Sequence, residues 1–267
     1  MRINKFISHN SPYSRREADE LIKQGLVKIN NKIALLSDEV KTNDKVFVKG
    51  KALRKKTQFS VIIYHKQKGE IVSKKDDRGR KTIYDTLPRQ FSTWLSVGRL
   101  DFASEGLLLL TDSPVIADAL MHSDLEREYY LKVKGTVSKQ VIEAMQNGLE
   151  IKNEKKGAHA KTKITSMSFA PFIDFEIFGS SGGYTKLRVV INEGKNRELR
   201  RFFGHFDLEV MDLKRVAFGA LDLGMLKAGK YRYLENGEYE KLRDFLKFNE
   251  SKILTIIYKN LKNNDNF

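Results

Sequence analysis

The chain has 267 residues, 40% of them hydrophobic, enough for two domains or one large one around a sizeable core. Its formal net charge of +15 favours an extended polyanion as partner, nucleic acid first and an acidic membrane surface second. There is no cysteine, which excludes disulfides and Cys-based metal sites and suits a cytosolic protein; the five histidines show no metal-ligand spacing, and no apolar run reads as a signal segment or bilayer span.

At the N-terminus, Ile3, Phe6 and Ile7 stand at helical spacing and predict a short amphipathic helix. Ser14-Arg15-Arg16-Glu17 is a capping box. The helix it opens carries Ala18, Leu21 and Ile22 on one face and stops at Gly25. Val27-Lys28-Ile29 and Ile33-Ala34 flank Asn30-Asn31-Lys32, a tight hairpin turn for which asparagine supplies the left-handed conformation. A further strand is expected at Val46-Phe47-Val48. This order, with "SRREADELIKQG", "VKIN" and "VKTNDKVFV", resembles the S4 RNA-binding domain, with Asn31 where that family usually has Gly. The resemblance implies an αα-hairpin with short strands over residues 1–48, followed by a basic linker at 49–58. It also implies RNA contact by Arg15 and Arg16, which occupy a first helical turn where the helix dipole disfavours cations. The hairpin lysines Lys28 and Lys32 are candidates for the same surface.

From Phe59 the pattern changes. Val61–Tyr64 reads as a buried strand, residues 69–80 as a charged loop, and Trp94–Val97 leads into Gly98-Arg99-Leu100-Asp101. Leu107–Leu110 is a short buried strand, and Gly106 before it marks a turn or a close approach of another backbone. Ser113-Pro114 starts a helix that runs to about Met121. Residues 126–134 alternate as a strand, so Tyr129 and Tyr130 face opposite ways. Val137–Asn147 looks helical, and residues 151–163 form a basic loop. Phe175–Phe178 and Leu187–Ile191 read as strands around a Gly/Ser turn, Glu198 begins another helix, and strands near Val210–Val216 and Tyr231–Leu234 follow. Helices mixed with mainly antiparallel strands predict an α+β fold, not a doubly wound one. From Tyr239 a tail carries Leu242, Phe245 and Leu246 at helical spacing, and Lys259–Phe267 is polar enough to be disordered.

Three segments share one resemblance. Gly98-Arg99-Leu100-Asp101 with Gly106–Thr111, Arg127-Glu128-Tyr129, and Glu193–Arg201 resemble the motifs of pseudouridine synthases, the last being similar to "EGKNRQVRRM". Glu198 stands where that motif usually has Gln. The resemblance implies a mainly antiparallel mixed-sheet catalytic domain with flanking helices over 59–238; the tail at 239–267, helical and then disordered by its own residues, goes beyond the usual family pattern. It makes Asp101 the catalytic nucleophile, with Tyr129 stacked on the target base and active in proton transfer. Arg200 would pair with Asp101 and hold it ionised. Arg99, Lys195 and Arg197 would touch RNA.

The implied reaction turns uridine into pseudouridine with no redox change, metal or cofactor. An S4 domain joined to a short catalytic domain resembles the RsuA/RluB type. The surroundings of Met121-His122, Tyr129 and Lys195 point to its large-subunit branch. The expected partner is therefore 23S ribosomal RNA, bare or in a pre-ribosomal particle, bound by a cytoplasmic monomer with no membrane role. The alternatives are 16S ribosomal RNA or tRNA as substrate, and a non-catalytic S4-type ribosome assembly factor, which would have no use for Asp101, Tyr129 and Arg200 together.

Overall fold

The computed structural model describes residues 1–41, 43–54, 59–159 and 162–249, with side chains to residue 246. The last stretch of the tail, Lys259–Phe267, and the linker residues 55–58 lie outside the described residues.

The N-terminal unit contains α1 (Ile3–Asn10), α2 (Arg15–Lys23), β1 (Val27–Ile29), β2 (Lys32–Ile33), β3 (Val46–Val48) and β4 (Lys51–Ala52). Its antiparallel sheet runs β2-β1-β3-β4, so the linker stretch after residue 48 begins with a strand of this same sheet. Both bonds of the capping box form: Glu17 N–H donates to Ser14 Oγ at 3.2 Å, and Ser14 N–H to Glu17 Oε2 at 2.7 Å. Ile3, Ile7, Ala18 and Val27, all fully buried, form the small core between the helices and the sheet. The left-handed residue of the β1–β2 turn is Asn30, at φ +54°, not Asn31. Its side chain is held by Asp44 and by the backbone of Lys45.

The remaining elements are β5 (Val61–Lys66), α3 (Ile83–Thr86), β6 (Leu95–Ser96), β7 (Glu105–Thr111), α4 (Pro114–Met121), β8 (Arg127–Lys134), α5 (Lys139–Asn147), β9 (Leu149–Ile151), β10 (Met167–Phe169), β11 (Asp174–Ser181), β12 (Tyr184–Ile191), α6 (Glu198–His205), β13 (Glu209–Phe218), β14 (Leu221–Asp222), β15 (Tyr231–Tyr233) and α7 (Asn236–Asn249). One large sheet runs β11-β12-β8-β13-β7-β5-β15, with β14 on β13 and β6 on β7, while β9 and β10 pair separately. The architecture is the expected α+β type with an S4-like unit in front. Within the sheet only the β13–β7 pairing is parallel among the described residues.

β7 is buried on both sides, which explains its unbroken apolar run. Leu108 and Leu110 join one core, with Tyr129, Leu187 and Phe202. Leu107 and Leu109 join another, with Ile116 and Leu120 of α4 and Leu242 and Leu246 of α7. Each such leucine contributes roughly 1.5–3 kcal/mol by leaving water. The tail helix is thus a packing element of the sheet. Its Tyr239 hydroxyl also accepts the Val61 N–H at 3.0 Å. At Gly106 (φ +111°) the β13 backbone passes so close that an added Cβ would lie 2.1 Å from the Arg215 carbonyl oxygen. Only glycine permits that seam.

Candidate active site

The loop between β6 and β7 carries Asp101. Beneath it lies Lys66, the last residue of β5, with no exposed surface. Its ammonium donates to the carbonyls of Gln67 at 2.9 Å, Asp101 at 3.0 Å and Ser104 at 2.8 Å. All three of its protons therefore go to main chain, two of them to the ends of the Asp101–Ser104 turn. That turn is closed further by the Ser104 N–H on the Asp101 carbonyl at 3.0 Å. Burial pushes the Lys66 ammonium down to about 8, against the pull of Glu70, Asp101 and Glu105.

The Asp101 side chain is one-third exposed and faces the start of α6. Its Oδ2 accepts from Arg197 Nη1 at 3.2 Å and lies 3.7 Å from Arg200 Nε. Arg200 is buried, and its other nitrogens are committed elsewhere. Nη1 donates to the Val210 carbonyl at 2.7 Å, and Nη2 to the Ala103 carbonyl at 3.3 Å and Ser104 Oγ at 3.2 Å. Arg197 also donates from Nε to the Gly157 carbonyl at 2.8 Å. It holds a left-handed backbone, φ +52° and ψ +35°, just before α6. The loop that supplies Gly157 lies flush on α6, where a Cβ at Gly157 would meet the Arg200 carbonyl oxygen at 1.8 Å.

A cavity of about 460 Å³ opens over this carboxylate. Arg99, Asp101, Tyr129, Lys195, Arg197 and Arg200 all line it. Tyr129 comes from the middle of β8, opposite Val189 on one side and Arg215 on the other. It is 8% exposed, while Tyr130 is 46% exposed on the opposite face, as the alternation requires. The three residues expected to form the catalytic set thus converge on one cavity. Of the expected RNA-contact residues, Arg99 is exposed at its mouth. The Lys195 ammonium is engaged with the Ser168 carbonyl and Glu193, each at 2.7 Å. Arg15, Arg16, Lys28 and Lys32 are exposed on the N-terminal unit, away from this cavity. Arg15 lines a second cavity of about 980 Å³ between the two units, and Met121 lines both.

Several functional candidates escaped the sequence reading. Arg197, assigned there to RNA contact, makes the direct hydrogen bond to Asp101. Lys66 lies in no motif, and the buried wall residues Arg127 and Arg215 carry no assigned role there. Arg127 donates to the carbonyls of Leu125 and Asn192, and Arg215 Nε to the Leu107 carbonyl at 2.7 Å. A signal existed for Lys66: a lysine inside a strand with no exposed face must find acceptors for its ammonium. Among the described residues no three His, Asp or Glu side chains cluster to hold a metal ion, and no helix is long and apolar enough to cross a membrane.

Comparison with known proteins agrees with this geometry. Residues 60–205 match the RNA pseudouridylate synthase family and residues 1–46 the S4 domain. A Helicobacter pylori protein described as an uncharacterized RNA pseudouridine synthase is 51% identical, over 92% of this chain and 95% of its own. The ribosomal large subunit pseudouridine synthase B of Bacillus subtilis is 34% identical, over 91% of this chain and 95% of its own. A crystal structure of a pseudouridylate synthase superposes with a TM-score of 0.61 at 26% identity, covering 91% of this chain and 99% of that one. With its cavity, its loop carboxylate and these relatives, the chain belongs to the RNA pseudouridylate synthase family and is an RNA pseudouridine synthase with an S4 domain in front.

Proposed function

We propose that this enzyme isomerises specific uridines of large-subunit ribosomal RNA, with Asp101 as the nucleophile. The observation that carries the proposal is the Asp101 carboxylate, set between Arg197 at 3.2 Å and Arg200 at 3.7 Å beneath an open cavity that Tyr129 also lines. The two guanidiniums hold the carboxylate at the floor of the cavity, where it can act as a nucleophile.

The reaction breaks the N1–C1′ bond, turns the uracil and joins C5 to C1′. N1 gains the proton that C5 gives up, so product and substrate are isomers. The base must leave its stack to be reached, at a cost of a few kcal/mol that is least in loops and bulges. Phosphate contacts from a chain of net charge +15 offset that cost. Tyr129 offers a ring for the flipped base, and Arg99 a cation at the cavity mouth. Arg15, Arg16, Lys28 and Lys32 extend the RNA contact onto the S4 unit. The same reading has the enzyme act as a monomer in the cytoplasm. The large-subunit assignment draws on the naming of the Bacillus subtilis relative.

Pseudouridine mapping of ribosomal RNA, by carbodiimide labelling and reverse transcription, tests this reading. One large-subunit stop is expected to vanish both in a deletion strain and in a strain carrying Asp101→Ala. A stop lost from the small subunit or from tRNA would change the substrate. An unchanged map with disturbed subunit assembly would make the chain a binding factor.

A further inference from the structure

Arg197 is an arginine where the backbone calls for glycine. At φ +52° it carries a steric penalty that Gly avoids. Such a conformation persists only where neighbouring structure over-determines it. The turn 195–198 supplies that structure. Glu198 N–H donates to the Lys195 carbonyl at 3.2 Å, and Lys195 N–H donates to Glu198 Oε2 at 2.9 Å. Lys195 is thus tied through both its peptide groups to one residue, with Arg197 at the third position of the turn, where a positive φ normally selects Gly or Asn.

We propose that Glu198 is a positioning residue, whose carboxyl locks the 195–198 turn and so holds Arg197 in the left-handed conformation that aims its guanidinium at Asp101. This rests on the reading of Asp101 as nucleophile. Glu198 is 7% exposed and lines the cavity wall. It acts on Asp101 through Arg197.

The groups that face Glu198 are Glu193 and Lys195 of the preceding loop and Arg127 of β8. Burial pushes its carboxyl up to about 7; the Lys195 N–H opposes that rise and Glu193 adds to it. In the protonated form the hydroxyl donates to Glu193 while the carbonyl oxygen still accepts from Lys195. Glutamine presents the same donor and acceptor. The glutamate in this chain therefore does the work of glutamine while protonated. Once ionised it lies beside a second carboxylate, Glu193, and that repulsion works against the turn that holds Arg197.

The test compares kcat and KM of the full-length wild type, E198A, E198D and E198Q on a ribosomal RNA transcript that holds the mapped uridine, across pH 6 to 9, with D101A alongside. E198A and E198D, whose carboxyl falls short of the Lys195 N–H, are expected to lose kcat by about tenfold or more with KM little changed, the scale of a small misplacement at a reacting group. E198Q recovers most of that loss. Wild-type kcat declines above about pH 7 relative to E198Q, whose amide does not titrate. Should E198A not fold, E198D carries the comparison. E198A and E198D with wild-type kcat would overturn the proposal, as would an E198Q no better than E198A. An active D101A would instead remove the reading of Asp101 on which it stands.

Discussion

The Asp101 carboxylate meets the Arg197 guanidinium at 3.2 Å across 96 residues of chain. Arg200 approaches the same oxygen only at 3.7 Å and gives its terminal nitrogens to Val210, Ala103 and Ser104. The two arginines therefore divide their tasks: Arg197 grips the charge, and Arg200 holds the loop that bears it.

That division predicts two variants that both lose activity but differ in stability. In Arg197→Gly the relief of the left-handed backbone offsets the lost hydrogen bonds, so stability stays within about 1 kcal/mol of wild type. Its kcat falls by about a hundredfold, because the carboxylate loses its closest partner. Arg200→Met leaves three buried acceptors without a donor and destabilises by about 2–4 kcal/mol as well as losing activity. Thermal melts with single-turnover rates separate the two, and equal melting losses in both variants would refute the division.

Lys66 joins the end of β5 to both ends of the Asp101–Ser104 turn. Lys66→Met keeps the volume and removes all three donors. Unfolding in denaturant is expected to show a loss of at least about 2 kcal/mol, since each unmet buried carbonyl costs about 1–3 kcal/mol. Amide hydrogen exchange in residues 101–104 should rise with it. Unchanged exchange there would mean that the turn holds itself.

The ring of Tyr129 is buried in the cavity wall, and among the described residues its hydroxyl makes no hydrogen bond. Tyr129→Phe keeps the face for stacking and deletes only the hydroxyl. Stability is expected to stay within about 0.5 kcal/mol, the range for a change that breaks no buried bond. RNA affinity should hold, while kcat drops by about a hundredfold if the hydroxyl moves a proton in the reaction. A wild-type kcat would restrict Tyr129 to stacking.

Glu198 also links stability to pH. Its folded carboxyl is raised from 4.5 to about 7, so the folded state holds a proton that the unfolded chain has already released. Stability from this group is full below about pH 4.5 and erodes as pH rises through about 7. Glu198→Gln cannot erode in this way. Its melting temperature minus that of wild type should grow across the same window and then level off, by no more than about 3 kcal/mol in stability. A difference that stays constant with pH would show that the carboxyl titrates normally.

Much of this was legible along the chain because local rules wrote it there. The capping box at Ser14, the Ser113-Pro114 helix start and the opposed faces of Tyr129 and Tyr130 all depend on residues a few positions apart. Gly106 announced a close backbone approach, although its partner, Arg215, could not be named from sequence. What stayed hidden depends on contacts between distant segments. Arg197 has no intrinsic preference for a left-handed φ, so nothing local distinguished it from Arg200. The helical spacing of Leu242 and Leu246 showed an apolar face in the tail, but not that it would close the core behind β7.

The parallel seam between β7 and β13 fastens Leu107 to Arg215, 108 residues later. Closing so long a loop is entropically slow and comes after local pairing. A nascent chain made only through β8 already carries Asp101 and Tyr129, yet it lacks both arginines and the strand that walls the cleft. The cavity around Asp101 is therefore complete only once translation has passed β13.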